Sequence, residues 1–215
     1  MQTARIRDRG HLPHWEIPSG TYFVTFRLAG SLPAQVLDEL RKERKANSDR
    51  NICRQSEKRK SRVTQIEKLL DSGLGPKHFL RLEIAEIVAR SLSLFDTTRY
   101  ELFAWCVMPN HVHAVFRPLG EWDLVRVMHG WKSYTAHEIG RKFRIREPFW
   151  QREYYDRLIR DGDEFRRAVE YVARNPEKAG LTDWRWVGVS SSAGVPAGIL
   201  RPRTSQGSRP PTDLA

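Results

Sequence analysis

The chain has 215 residues, enough for one sizeable domain with appendages or for two small domains. It carries 37 Lys and Arg against 26 Asp and Glu, a formal net charge of +11, and 40% of its residues are hydrophobic. This composition excludes a chain that is disordered throughout, and the positive charge favours a polyanionic partner such as nucleic acid. Two cysteines are too few for a disulfide scaffold. No segment has the roughly 18 apolar residues of a membrane helix, and the first fifteen lack the apolar part of a secretory signal. We therefore expect a cytoplasmic protein that does not bind membranes.

More than half of the excess charge lies in one segment. Residues 39–68 contain 11 basic and 5 acidic side chains, a net charge of +6. Such a segment can be the solvated face of a helix or a surface that binds phosphates. Its charge is therefore considered separately from any catalytic site.

The first half of the chain predicts a strand followed by helices. The aromatic and β-branched residues 21–28 lie between Gly20 and Gly30, which predicts a strand. Residues 33–70 are rich in Leu, Glu, Lys and Arg and predict a long charged helix, or two helices joined by a polar stretch. Apolar residues at helical spacing predict another helix at 79–95.

The second half of the chain predicts three strands and two helices. The apolar segments 100–107 and 111–116 are separated by Met-Pro-Asn, which predicts a hairpin. A helix at 124–143, a short strand at 154–159 and a helix at 163–175 follow.

The order of these elements predicts an α+β domain. An antiparallel sheet with helices on one face, in a ferredoxin-like split β-α-β arrangement, fits this order. The charged stretch 39–68 would be a helical insertion in that domain. Residues 188–215 are rich in Ser, Gly, Pro and Arg and predict a disordered tail.

Two histidines alternate in the predicted strand at 111–116. Successive side chains of a strand point to opposite faces, so His111 and His113 share one face, where they could hold one divalent metal ion. The tripeptide alone is also compatible with two polar residues on the exposed face of a half-buried strand.

A tyrosine and an asparagine are one turn apart in the predicted helix at 163–175. Tyr171 and Asn175 therefore face the same way. Tyr171 could be an ordinary core tyrosine whose hydroxyl reaches the surface. Beside a metal ion it would instead be a competent nucleophile toward phosphate, forming a covalent phosphotyrosine, and the Asn175 side-chain oxygen could be a third metal ligand.

Several separated motifs resemble one family. The segments RGHLPHWEIPSGTYFVTFRLAGSLP, AWCVMPNHVHAVFRP and FWQREYYDRLIRDGDEFRRAVEYVARNPEKAGL are similar to single-tyrosine HUH transposases, and most of all to the REP-associated tyrosine transposases of bacteria. The resemblance extends over residues 10–187, with the stretch 39–68 longer than the helix of the smallest members.

The resemblance implies a HUH endonuclease domain and assigns roles by position. His111 and His113 match the metal-binding histidines, Tyr171 matches the nucleophile, and Asn175 lies where members have a Gln or Asn that completes the metal site. The implied cofactor is Mg²⁺ or Mn²⁺, and manganese is the better match to two imidazoles. The implied substrate is single-stranded or hairpin DNA, cut through a 5′-phosphotyrosine by a monomer or a homodimer. A nucleic-acid-binding protein that does not cleave, and a nuclease in which water attacks, remain alternatives.

Other residues have competing interpretations. Basic side chains form a stripe on or just after the predicted helix at 124–143, next to the proposed site. They are better candidates for binding DNA phosphates than residues 39–68: Arg126, Lys132, Arg141, Lys142, Arg144 and Arg146. Tyr154 and Tyr155 are weaker candidates for the nucleophile because neither has a companion ligand one helical turn away. Four tryptophans are candidates either for base stacking or for core packing: Trp131, Trp150, Trp184 and Trp186. His129 and His137 are expected to be ordinary helix histidines.

Overall fold

A computed structural model of the chain describes residues 5–8, 13–17, 19–33, 36, 65–66, 68–70, 74–145 and 148–193, with only the backbone for 5–8 and 13–16. Most of the predicted helix at 33–70, including most of the charged stretch 39–68, lies outside these residues. Among its described residues, 36, 65–66 and 68–70 are helical and Pro33 is not.

Seven strands and three α-helices are described. The strands are β1 (Arg5–Asp8), β2 (Pro13–Glu16), β3 (Thr21–Arg27), β4 (Tyr100–Val107), β5 (His111–Pro118), β6 (Tyr155–Ile159) and β7 (Val187–Val189). The helices are α1 (Leu82–Ser93), α2 (Leu124–Phe143) and α3 (Gly162–Lys178), and short 3-10 helices lie at His78–Leu80 and Ser191–Ala193.

The central element is an antiparallel sheet of five strands in the order β6-β3-β5-β4-β7. The predicted α+β class with an antiparallel sheet is thereby confirmed. Strands β1 and β2 pair separately as a hairpin, which the sequence did not predict. Among the described helices, none has the length and apolarity needed to cross a membrane.

The prediction that the helices lie on one face of the sheet is wrong. One face packs on α1 and α2 through alternate strand residues such as Val24 and Val112. The opposite face packs on α3 through the intervening residues, among them Phe23 and Val115. The sheet is apolar on both faces because side chains alternate along each strand and both faces are covered.

Helix α2 agrees with the prediction at both ends. The Asp123 carboxylate caps its first turn by accepting from the Arg126 backbone N–H at 2.7 Å. At the other end, Arg144 adopts the left-handed conformation (φ 55°) and donates its N–H to the Gly140 carbonyl. Both ends therefore satisfy backbone groups that a helix leaves without partners.

Helix α3 and the segment after it depart from the prediction. The sequence predicts that α3 ends at Asn175 before Pro176, but it continues to Lys178. A proline removes one hydrogen bond yet keeps a helical φ, and Pro176 is buried against the core. Residues 188–193, predicted to begin a disordered tail, instead contribute to β7 and to a 3-10 helix; residues 194–215 lie outside the described part.

Candidate active site

Two buried histidines lie side by side on the middle strand of the sheet. His111 and His113 on β5 are both fully buried and face α3. Their Nε2 atoms are 3.0 Å apart, and their rings meet at 81°. The alternation expected from the sequence thus brings both Nε2 atoms to one point.

Each imidazole has a partner for its other ring nitrogen. The Oδ1 of Asn110 is 2.6 Å from Nδ1 of His111, and the Oγ1 of Thr25 is 2.8 Å from Nδ1 of His113. Thr25 comes from β3, where it is directly opposite His113 in the strand register. Such contacts fix ring orientation and are typical of metal-binding histidines.

Burial keeps both imidazoles neutral. It lowers the pKa of His113 to about 3, and it lowers the pKa of His111 well below its usual value, with a further contribution from the neighbouring His113. A neutral imidazole retains a lone pair for a metal ion, whereas an imidazolium has none. The pair is therefore a competent nitrogen donor set at neutral pH.

Helix α3 brings Tyr171 to the same cluster. Its ring is 5.4 Å from the His113 ring and 5.8 Å from the Phe23 ring, both centroid to centroid and both edge-to-face. The Nζ of Lys178, two turns further along α3, is 5.2 Å from the centre of the Tyr171 ring. Tyr171 is half-buried.

Asn175 is buried one helical turn after Tyr171. Only 1% of its surface is exposed, and its side-chain Oδ1 accepts no hydrogen bond. A buried amide oxygen without a donor costs about 1–3 kcal/mol, so such atoms are uncommon in folded proteins. This oxygen is available as a ligand for a cation.

The donor set fits a divalent metal ion. At a metal–nitrogen distance of about 2.1 Å, two ligands at a right angle are about 3.0 Å apart, which is the Nε2–Nε2 separation measured here. Within the described residues, no group of three or more His, Cys, Asp or Glu is placed to hold a metal. A third ligand from these residues would therefore be an oxygen of another type, such as Oδ1 of Asn175.

The two alternative tyrosines, Tyr154 and Tyr155, lie on opposite faces of the sheet. Tyr155 on β6 is opposite Thr25 and packs edge-to-face on Phe23 at 6.4 Å, so it lies on the same face as the histidines. Tyr154 packs on the other side of the sheet, with the Lys132 amine 5.8 Å from its ring centre. Of the two, only Tyr155 makes a useful control for Tyr171.

The predicted basic stripe does not lie beside the histidines. Helix α2 covers the face of the sheet opposite α3. Lys132 and Arg141 are nine residues apart, which places them on opposite sides of this helix. The basic side chains are thus distributed around α2 rather than aligned.

The candidate DNA-binding residues also differ in their contacts. Lys132 donates to the carbonyls of Gln151 and Arg152, both at 2.8 Å, and burial lowers its pKa to about 8. Ion pairs are formed by Arg126 with Asp123, and by Arg141 and Lys142 with Glu138. Arg144 is exposed, and Arg146 lies outside the described residues.

The four tryptophans proposed for base stacking differ in burial. Trp131 and Trp150 are buried, and their indole N–H groups donate to Tyr100 Oη and Thr135 Oγ1, so both are core residues. Trp184 is half-buried and donates to the Val107 carbonyl at 2.7 Å. Trp186 is half-buried as well, and its indole nitrogen has no hydrogen-bond partner. His129 and His137 are exposed on α2.

Three residues of this site were not identified from the sequence. Asn110 and Thr25 contact the histidines, and Arg27 is directly opposite His111 in the β3–β5 register. The position of Asn110, next to His111 in the predicted hairpin, is the one available signal. Thr25 and Arg27 depend on a pairing across more than eighty residues, which no local pattern reveals.

A family model and a curated protein each match part of this chain. Residues 78–175 match the family model described as "Transposase IS200 like". A REP-associated tyrosine transposase of Escherichia coli K12 is 30% identical over 90 residues, which are 40% of this chain and 52% of that protein. The chain therefore matches about half the length of that curated relative.

A solved structure shares the fold. It is described as a REP-associated tyrosine transposase bound to a REP hairpin, and it aligns with a TM-score of 0.50 over 81% of this chain and 79% of its own. Sequence identity is 18%, so this likeness concerns the fold alone. The resemblance predicted from the motifs is confirmed.

Proposed function

We propose that this chain, which carries an IS200-like transposase domain at residues 78–175, cleaves and rejoins single-stranded or hairpin DNA with Tyr171 as the nucleophile. The observation that carries the proposal is the contact between Tyr171 on α3 and His113 of the converging pair on β5. The proposed nucleophile and the proposed cation ligands come from different elements, and their rings are in contact, so one phosphate bound there could meet both.

The residues have separate roles in this reaction. His111, His113 and the Asn175 oxygen would hold Mg²⁺ or Mn²⁺, which polarises the phosphoryl oxygens and bears part of the developing charge. The Tyr171 phenol oxygen attacks phosphorus and releases its proton to solvent, and the bond from phosphorus to the 3′ oxygen breaks. The DNA 5′ end remains on the tyrosine as a phosphotyrosine, and the leaving 3′ oxygen takes up a proton as a free hydroxyl. Reversal of these steps with another 3′ hydroxyl rejoins DNA.

One cation lies over the Tyr171 ring, and a second cationic residue is opposite His111 in the strand register. Lys178 lies over the Tyr171 ring, where its charge would attract a phosphate. Arg27 pairs with His111 in the β3–β5 register and donates to the Ser31 hydroxyl at 3.2 Å. Burial lowers the pKa of Arg27 to about 10, which leaves it charged at neutral pH. Phosphates further along the DNA would meet exposed basic residues such as Arg126 and Arg144.

A covalent-adduct assay tests the proposal. Purified protein is incubated with labelled hairpin DNA and Mn²⁺, and denaturing gels separate protein–DNA adducts. We expect an adduct from the wild type and from Tyr155→Phe, and none from Tyr171→Phe or His111→Ala. Tyr155 is the matched control because it is a tyrosine on the same face of the sheet.

The other outcomes identify the alternatives. Cleavage that survives Tyr171→Phe but is lost in His111→Ala would show a nuclease in which water attacks. Binding of the hairpin with neither cleavage nor adduct in the wild type would show a binding protein instead.

A further inference from the structure

We propose that Asn110 and Thr25 are positioning residues that set the tautomers of the histidine pair: Asn110 holds His111 permanently in the metal-binding form, and Thr25 allows His113 to switch into it. The inference rests on the proposed function only in taking this pair as the metal site. Both residues are buried, Asn110 completely and Thr25 with 7% of its surface exposed, so they act through the imidazoles.

The orientation of the Asn110 amide is determined by its surroundings. Its Nδ2 donates to the carbonyls of Leu70 at 3.2 Å and Leu74 at 3.0 Å. Rotating the amide by 180° would place its oxygen against those two carbonyl oxygens. The Oδ1 therefore faces His111, at 2.6 Å from Nδ1.

The amide oxygen fixes the proton on His111. An amide oxygen can only accept a hydrogen bond, so Nδ1 of His111 carries the hydrogen. In a neutral imidazole the other nitrogen then has a lone pair and no hydrogen. The Nε2 of His111 is therefore ready to bind a metal whether or not one is present.

The proton on His113 follows from the contact between the rings. The 3.0 Å separation of the two Nε2 atoms is a hydrogen bond only if one of them donates, and His111 cannot. In the metal-free protein His113 therefore carries its hydrogen on Nε2. Its Nδ1 accepts from the hydroxyl of Thr25 at 2.8 Å.

Metal binding would reverse the direction of the hydrogen bond between His113 and Thr25. Both Nε2 atoms must then present lone pairs, so the hydrogen of His113 moves from Nε2 to Nδ1. The number of protons on the pair is unchanged, and the Thr25 Oγ1 becomes the acceptor. A hydroxyl can donate or accept, whereas an amide oxygen cannot donate, which explains a threonine beside the switching ring and an asparagine beside the fixed ring.

Nitrogen-15 NMR of the imidazoles tests this assignment directly. Two-bond correlations distinguish the Nδ1–H from the Nε2–H tautomer in the metal-free wild type and after addition of Mg²⁺, which is diamagnetic. We expect His111 as Nδ1–H in both spectra, and His113 as Nε2–H without metal and Nδ1–H with it. Finding His111 as Nε2–H in the metal-free protein would overturn the proposal.

Substitutions at residue 25 give a second, independent test. Thr25→Val keeps the shape and loses the hydroxyl, whereas Thr25→Ser keeps the hydroxyl. Loss of a residue that orients a metal ligand typically lowers metal affinity about 10–100-fold. We expect that loss for Thr25→Val and less than about threefold for Thr25→Ser, measured as Mn²⁺ binding by electron paramagnetic resonance. Equal affinity of the two variants would refute a role for the hydroxyl.

The outcomes for the two proposals are distinct. If the tautomers and the Thr25 variants behave as expected but the wild type forms no DNA adduct, the proposed function fails and this inference stands. If the adduct forms but His113 keeps Nε2–H with metal bound, the inference fails and the function stands.

Discussion

Two buried asparagines make opposite predictions for the stability of the protein. Asn175 has a buried Oδ1 that accepts no hydrogen bond, whereas the Asn110 side chain makes three hydrogen bonds, to His111, Leu70 and Leu74. Leucine has nearly the shape of asparagine without its polar atoms. The substitutions Asn175→Leu and Asn110→Leu thus form a matched pair.

The magnitudes follow from the hydrogen bonds. Removing an unpaired buried acceptor recovers about 1–3 kcal/mol of desolvation cost, so we expect metal-free Asn175→Leu to be about 1–2 kcal/mol more stable than the wild type. Asn110→Leu loses three bonds at about 1 kcal/mol each and strands their partners, so we expect it to be about 3 kcal/mol less stable. The same Asn175→Leu protein should bind Mn²⁺ more weakly, because the oxygen proposed as a ligand is gone.

Denaturant unfolding in the presence of a chelator measures these differences. The midpoint should rise for Asn175→Leu and fall for Asn110→Leu, with an unchanged dependence on denaturant concentration. A metal-free Asn175→Leu protein that is less stable than the wild type by 1 kcal/mol or more would refute the reasoning. Unchanged Mn²⁺ affinity in that variant would refute Asn175 as a ligand.

Three further predictions concern pH, packing and salt. Burial lowers the pKa of His113 from 6.5 to about 3, so between these pH values the unfolded chain binds a proton at this residue and the folded protein does not. The metal-free protein should therefore have its full stability above pH 6.5 and lose stability as the pH falls toward 3. The loss in the free energy of unfolding is about 2 kcal/mol at pH 5. His113→Gln should flatten the pH dependence of this free energy, and the exposed control His129→Gln should not. Equal pH dependence in the two variants would contradict this prediction. Gly188→Ala should destabilise the protein, since a Cβ there would lie 2.5 Å from the Trp105 indole nitrogen, and a thermal midpoint at or above that of the wild type would count against the β7 pairing. Arg144→Gln should reduce the salt dependence of DNA binding by about one phosphate contact, while an unchanged slope would remove Arg144 from the interface.

The sequence predicted the fold best where an element depends on residues close together in the chain. Helix α2 begins after an Asp cap and ends at a left-handed Arg144, and its predicted range matches the structure. The end of α3 was predicted too early because Pro176 lies within the helix, where tertiary packing outweighs the local preference. Strand β7 was not predicted because Val187–Val189 has only three residues. Its Gly188 suggests a turn in the sequence, whereas in the structure a larger side chain there would collide with Trp105.

The sequence predicted which residues belong to the candidate site, but not how the fold brings them together. Alternation along a strand and the helical turn are local rules, and they paired His111 with His113 and Tyr171 with Asn175. That α3 packs on the face carrying the histidines depends on which face each helix covers, a property of the whole sheet. Thr25 reaches His113 across 88 positions of sequence, so only the three-dimensional register reveals it.

The proposed metal ligands and the nucleophile belong to parts of the fold with different resistance to opening. Strand β5 is the middle strand of five and is hydrogen-bonded on both sides, so its amide hydrogens should exchange with solvent only when the whole sheet opens. Tyr171 lies on α3, whose contacts with the sheet are side-chain packing. A helix held in this way can separate from the sheet and return at far lower energy, on a timescale of microseconds to milliseconds. Tyr171 can thus move away from the histidines while the strand that carries His111 and His113 stays folded.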